Sequence, residues 1–189
     1  MKVARNGKAA ALSPEQFAAL LEAAPSPRYR ALWMVQRYAA ARIGETLSLT
    51  WADVAGHKIT FRALRTKAGR TRQLPQAQQL TEALEHYRAA WAMEHGHEPQ
   101  PHEALFPAAG STTAFASRQG ADKALRATCR RLGLEGVSLH SFRRSAAQAA
   151  VDRGVPLHVV QALTGHKSLG SLGEYLSATE AQVLAAIGG

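Results

Sequence analysis

Residues 139–176 read LHSFRRSAAQAAVDRGVPLHVVQALTGHKSLGSLGEYL, and this stretch decides how the rest of the chain is understood. Apolar residues recur at helical spacing on both sides of Gly154-Val155-Pro156, which divides one helix from a shorter one. His140 and Arg143 stand one turn apart on the first helix and are expected to project from the same face. His166 follows the second helix, where Gly165 permits an abrupt turn, and Tyr175 comes soon after. Two histidines, an arginine and a tyrosine make poor core. Together they suit a phosphate under nucleophilic attack, which also requires further cations and a proton donor from elsewhere in the chain.

The bulk properties agree with such a partner. A chain of 189 residues fits one domain, and its 46% hydrophobic content is that of a packed protein, not a disordered one. The net charge of +9 predicts a polyanion, either nucleic acid or an anionic membrane surface. The cations are clustered: between Asp53 and Glu82 there is no acidic residue, yet Lys58, Arg62, Arg65, Lys67, Arg70 and Arg72 all fall there. No apolar run has membrane-spanning length, and the opening MKVARNGKAAAL lacks a signal-peptide core. The expectation is a soluble, cytoplasmic protein whose partner is nucleic acid and not a membrane. Cys129, the single cysteine, excludes an intramolecular disulfide and reads as a small buried residue in a helix.

Residues 1–11 read as a basic arm or linker. Ser13-Pro14-Glu15-Gln16 then opens a helix with a capping hydroxyl, a first-turn proline and a glutamine three residues on. A second helix is expected from about Arg28 to Ala41, with Leu32, Val35 and Ala39 on one side. Arg42 closes it, and Glu45 lies one turn further. That pair is either a surface ion pair of little worth or a support that orients the guanidinium. Residues 57–61 alternate like a strand, 72–75 form a second, and Lys67-Ala68-Gly69-Arg70 supplies the turn between them. A lysine near such a hairpin tip is either solvated or able to reach a phosphate. Helix returns over Gln78–His95, and again over roughly Thr113–Leu132 with Arg126, Arg130 and Arg131 on its later turns. His95, His97 and His102 lack the second ligand cluster that a metal site needs. A last short helix carries Val183, Leu184 and Ile187 on one face. The fold class is mainly α with one small antiparallel β-sheet.

Four segments then resemble, in order, the conserved boxes of the tyrosine recombinases, the phage integrases among them. They are RIGETLSLTWADV at 42–54, the hairpin TKAGRTR at 66–72 followed by Leu74-Pro75, HSFRR at 140–144, and Thr164-Gly165-His166 with Tyr175. The resemblance implies that residues 12–189 adopt the tyrosine recombinase catalytic-domain fold. It also implies site-specific recombination of double-stranded DNA through a 3′-phosphotyrosyl intermediate. Tyr175 would be the nucleophile; Arg42 and Arg143 would clamp the non-bridging oxygens, with Glu45 supporting Arg42. His166 would donate a further hydrogen bond there, His140 would help take the tyrosine proton, and Lys67 would protonate the leaving 5′-oxygen. No metal, ATP or other cofactor is implied, because the phosphotyrosyl ester keeps the energy of the phosphodiester. DNA contacts are expected from Lys58, Arg62, Arg65, Arg70, Arg72, Arg126, Arg130, Arg131, Arg144 and Lys167. The chain is expected to be a monomer in solution and a tetramer on DNA, and to come from a bacterium, a phage or a mobile element. Two alternatives stay open: a stand-alone type IB-like DNA-relaxing enzyme, and a non-catalytic DNA-binding relic. Whether the last helix docks on its own domain or on a neighbour is also open.

The sequence departs from the family pattern in three places. The eleven residues before residue 12 are too few for the usual N-terminal core-binding domain, which is expected to be absent. Thr164 stands where the family has leucine, and Ala40-Ala41 stand where it has Gly-Leu. The last two are expected to be modest changes.

Overall fold

Residues Pro27–Tyr38 form helix α2, in which Ala31, Leu32, Trp33, Met34, Val35 and Gln36 are all buried. Six consecutive buried positions mean that this helix is covered all round, not on the single face expected from Leu32, Val35 and Ala39. The structure, a computed structural model, describes residues 9–63, 71–173, 176–178 and 180–187. Within them α2 packs between α4 (Gln78–His95) and α6 (Leu139–Asp152), and the buried Gln36 amide donates to the Leu139 carbonyl at the start of α6.

Helix α2 stops at Tyr38, short of the expected Ala41, because Ala40 turns to φ 47°. An L-residue enters that left-handed region only at a cost of about 1–2 kcal/mol. The break frees Arg42 from α2. Instead of closing that helix, Arg42 is the N-cap of α3 (Ile43–Leu47), and the Glu45 carboxylate accepts the Arg42 backbone N–H at 3.1 Å. Ala40→Gly should relieve the strain and stabilise the fold by about 1 kcal/mol. The melting temperature should then rise by about 2–4 °C; an unchanged or lower value would show that no strain is stored here.

Other elements follow their local chemistry. Helix α1 (Pro14–Glu22) has the expected capping box, with the Gln16 N–H donating to Ser13 Oγ and the Ser13 N–H to Gln16 Oε1. Strands β1 (Lys58–Phe61) and β2 (Arg72–Pro75) pair antiparallel with Phe61 opposite Arg72. The tip between them, including Arg65, Lys67 and Arg70, lies outside the described residues. Helix α4 has its expected bounds. Helix α5 (Arg118–Arg131) starts later than Thr113, because Phe115 pairs with Pro107 in an isolated bridge and Ser117 caps the Gly120 N–H at 3.1 Å.

Aromatic rings fix the frame. Tyr87 stacks between Trp51 and Phe106 at 5.8 and 5.7 Å, and its hydroxyl donates to the Leu105 carbonyl. Phe142 on α6 stacks on Trp33 of α2 at 6.2 Å, which fixes the neighbouring Arg143 against the main core. Helices α7 (Leu157–Thr164) and α8 (Leu169–Gly173) hold to α6 through a separate, smaller cluster of Ala147, Ala150, Val160 and Leu172. The last helix, α9 (Glu180–Ile187), leaves Val183, Leu184 and Ile187 exposed. Among the described residues no helix is long and apolar enough to cross a membrane. The architecture is mainly helical with a two-stranded antiparallel sheet.

Candidate active site

The turn into α3, the start of β2 and the end of α7 converge on a cavity of about 590 Å³, lined by Arg42, Glu45, Arg72, Gln161, His166 and Lys167 among others. Glu45 is its organising charge. The residue is only 6% exposed. Its Oε1 accepts from Arg42 Nη1 at 2.9 Å, and its Oε2 lies 3.5 Å from Arg72 Nη2. A carboxylate buried between two guanidiniums is not a surface ion pair of negligible worth.

Arg72 was expected only to contact DNA. The fold instead builds it into the cavity wall: Nη1 donates to the Leu163 carbonyl at the end of α7, and the guanidinium lies 4.6 Å from the centre of the Phe61 ring. Burial draws its pKa down from the usual arginine value, with Glu45 opposing and Arg42 adding to that effect. The alternation of β2 held the cue, since Arg72 shares its inward face with Leu74.

Arg143 is fully buried, and its Nη1 donates to the Ala40 carbonyl at 2.8 Å. It does not line the cavity, but its charge bears on His166. His140, one turn earlier, is exposed and lines a different cavity with Arg118 and Arg126. The two therefore do not share an environment. Positions i and i+3 differ by about 60° around a helix, enough to straddle the boundary between core and surface.

His166 leaves α7 through Gly165, a left-handed C-cap at φ 66°. Its carbonyl accepts from Gln161 Nε2, and its Nδ1 lies 2.8 Å from Thr164 Oγ1. Burial, then the charges of Arg143, Arg42 and Arg72, push its pKa down from 6.5 to about 4, with Glu45 opposing. The unfolded chain therefore takes up this proton first as pH falls. The stability linked to His166 is complete above pH 6.5 and is lost towards pH 4, on the order of 3 kcal/mol in all. Thermal melts should show the wild type losing stability over this range more steeply than His166→Gln; parallel curves would refute the shift.

The other expected cations are used variously. Arg62 pairs with the buried Asp53, Arg126 with Asp122, and Arg131 caps the end of α1 through the Ala23 carbonyl. Lys58, Arg130 and Lys167 are exposed. Tyr175 lies outside the described residues, but the chain just after it is anchored to α6. Gln148 exchanges two hydrogen bonds with the Ser177 backbone, and Arg144 donates to Ser177 Oγ. Nothing in the sequence marked Gln148 for this task. His95 packs on Trp91 at 4.1 Å, and no group of three potential ligands that could hold a metal occurs among the described residues. Cys129 is buried, and its thiol is pushed up to about 11, away from nucleophilic use.

A family model, that of the phage integrase family, matches residues 10–182. Tyrosine recombinase XerC of Rhizobium meliloti (strain 1021) is 32% identical over 163 residues, covering 80% of this chain and 49% of that protein. Tyrosine recombinase XerD of Mycobacterium tuberculosis is 30% identical over 143 residues, covering 75% of this chain and 45% of that protein. Among solved structures, the XerA recombinase superposes with a TM-score of 0.76 at 20% identity, over 96% of this chain and 65% of that one. XerH bound to its difH substrate before cleavage gives 0.70 at 21% identity, over 95% and 53%. The chain thus spans about half the length of the curated relatives it matches.

Proposed function

The chain belongs to the phage integrase family, and from that premise we propose that it cleaves and rejoins double-stranded DNA in site-specific recombination. Residues 12–189 are the catalytic domain. The observation that carries the reading is the convergence of Arg42, Glu45, Arg72 and His166, remote in sequence, on one cavity. Tyr175 attacks the phosphorus, the bond to the 5′-oxygen breaks, and a 3′-phosphotyrosyl ester forms. Lys67 gives the leaving oxygen its proton. Arg42 and Arg143 stabilise the charge that builds on the non-bridging oxygens as forked donors, Arg143 once DNA binding has uncovered it. DNA affinity comes chiefly from phosphate contacts, with exposed Lys58, Arg130 and Lys167 suited to them, and falls steeply with salt. On DNA the chains assemble as a tetramer, supported by the exposed apolar residues Val183, Leu184 and Ile187 of α9.

The test is covalent capture. The protein is incubated with a pool of randomised duplexes nicked so that the cleaved fragment diffuses away, and denatured complexes are recovered and sequenced. A complex that survives denaturation and carries a common sequence is expected. Reversible binding without a covalent product would overturn the reading. Relaxation of supercoiled plasmid without strand exchange would replace recombination with a relaxing activity.

A further inference from the structure

Arg72 joins parts of the molecule that lie far apart in the chain. It stands opposite Phe61 in the register of β1 and β2, and its guanidinium lies 4.6 Å from the centre of that buried ring. Phe61 belongs to the main core, so the arginine starts from a fixed base. Nη2 forms an ion pair with Glu45 Oε2 at 3.5 Å, and the same carboxylate holds both the side chain and the backbone N–H of Arg42. Nη1 donates to the Leu163 carbonyl, one of the last carbonyls of α7, which a helix leaves without a partner of its own. A Cβ added to Gly165 would come within 3.6 Å of Arg72 Cδ and Nη1, so the side chain also lies along the turn that carries His166.

The two walls of the cavity belong to different packing units. Arg42 and Glu45 are carried by α3, whose Ile43 and Leu47 sit in the main core. His166 follows α7, which is tied to α6 through the smaller cluster of Ala147, Ala150, Val160 and Leu172. We propose that Arg72 is a positioning residue, whose fork holds the His166 turn in place against the Arg42–Glu45 pair so that both walls face one phosphate. The brace stands on the geometry alone; its consequence for catalysis rests on the DNA-cleavage reading above.

The side chain of Arg72 is 15% exposed, and both nitrogens at the tip of its fork face protein acceptors. The fold, not DNA, therefore sets its orientation. Lysine cannot replace it here. A single ammonium has no planar face to lay against Phe61 and no fork to span the Leu163 carbonyl and Glu45 together. Arg72→Lys would keep the charge of the cavity and lose the brace, which makes it the informative change.

Two measurements test this on the whole chain. The first needs neither DNA nor activity: amide hydrogen exchange followed by NMR. The Gly165 N–H, bonded to the Gln161 carbonyl at 2.7 Å, reports on the end of α7. It should exchange about tenfold faster in Arg72→Lys than in the wild type, the worth of one lost charge-assisted hydrogen bond, while amides within α2 keep their rates. Equal acceleration in α2 would mean a general loss of stability, and an unchanged Gly165 rate would mean that no brace exists; either overturns the proposal. Should Arg72→Lys not fold, Arg72→Gln is measured in its place with the same outcomes, and failure of both to fold would make Arg72 a support of the whole fold and overturn it too. The second measurement is single-turnover covalent capture over a DNA titration, on a sequence recovered as above. Arg72→Lys should cleave about tenfold more slowly at saturating DNA, because donors displaced from their geometry stabilise the charged transition state less. The half-saturating DNA concentration should not move. A wild-type rate overturns the role in cleavage, and so does weaker binding at an unchanged saturated rate, which marks a phosphate contact instead. If the wild type forms no covalent complex, the cleavage reading fails and takes that role with it, while the exchange result still decides the brace.

Discussion

Tyr175→Phe is expected to abolish covalent capture of DNA completely while leaving reversible binding intact. Phenylalanine keeps the ring and removes the one oxygen that can form the ester, so no slower route through the same residue survives. A free tyrosine hydroxyl titrates near 10 and is a weak nucleophile at neutral pH, which is why the cavity's cations and a proton acceptor must act on it together. Binding should be retained because phosphate contacts, not the hydroxyl, supply most of the affinity and the charge count is unchanged. Denaturing gels of the two proteins on one nicked duplex, beside a binding isotherm, make the comparison. A covalent band that persists in Tyr175→Phe would show that another residue is the nucleophile.

Arg143→Lys is expected to lower the cleavage rate by about 10²–10³-fold, the usual consequence of losing one oriented donor to a charged transition state. Lysine keeps the charge and much of the length but not the planar fork. It would have to satisfy the Ala40 carbonyl, which now accepts from Arg143 Nη1, with the same single ammonium that must serve the phosphate. Arg143 is fully buried in this structure, so a phosphate can meet it only if DNA binding shifts the chain that covers it. A melting curve separates this loss from unfolding: a slowed enzyme with a melting temperature near the wild type fits the proposal. An Arg143→Lys protein with wild-type rate would remove Arg143 from the reaction.

The two experiments fail differently, and that makes them useful as a pair. Loss of capture in Tyr175→Phe tests which atom reacts. Loss of rate in Arg143→Lys tests whether the charge set around Ala40 and His166 stabilises what forms.

Most of the elements were legible in the sequence because their causes are local. Apolar periodicity marked α4, the Ser13–Gln16 box marked the start of α1, and Gly165 marked the end of α7. The residue types His140, Arg143, His166 and Tyr175 also sufficed to suggest phosphate chemistry, and the four boxes that hold them with Arg42 and Lys67 resembled those of a family that performs it. These features depend on neighbours within a few residues, or on a pattern of residue types, and both are written in one dimension.

Other features depended on what the chain meets in space. The left-handed turn at Ala40 cut α2 short and made Arg42 a cap, although alanine is a strong helix former; here tertiary placement overrode propensity. Only the packing of β2 against α7 turned Arg72 from a hairpin cation into a partner of Glu45 and Leu163. Burial decided that Arg143 and His140, one turn apart, have different surroundings. The sequence alone determined that this chain is a mainly helical, basic protein carrying a recombinase-like set of residues. The tertiary structure decided which charges share the buried Glu45 and that His166 lies in the same cavity as Arg42 and Arg72, because both follow from burial and packing that exist only once distant segments have come together.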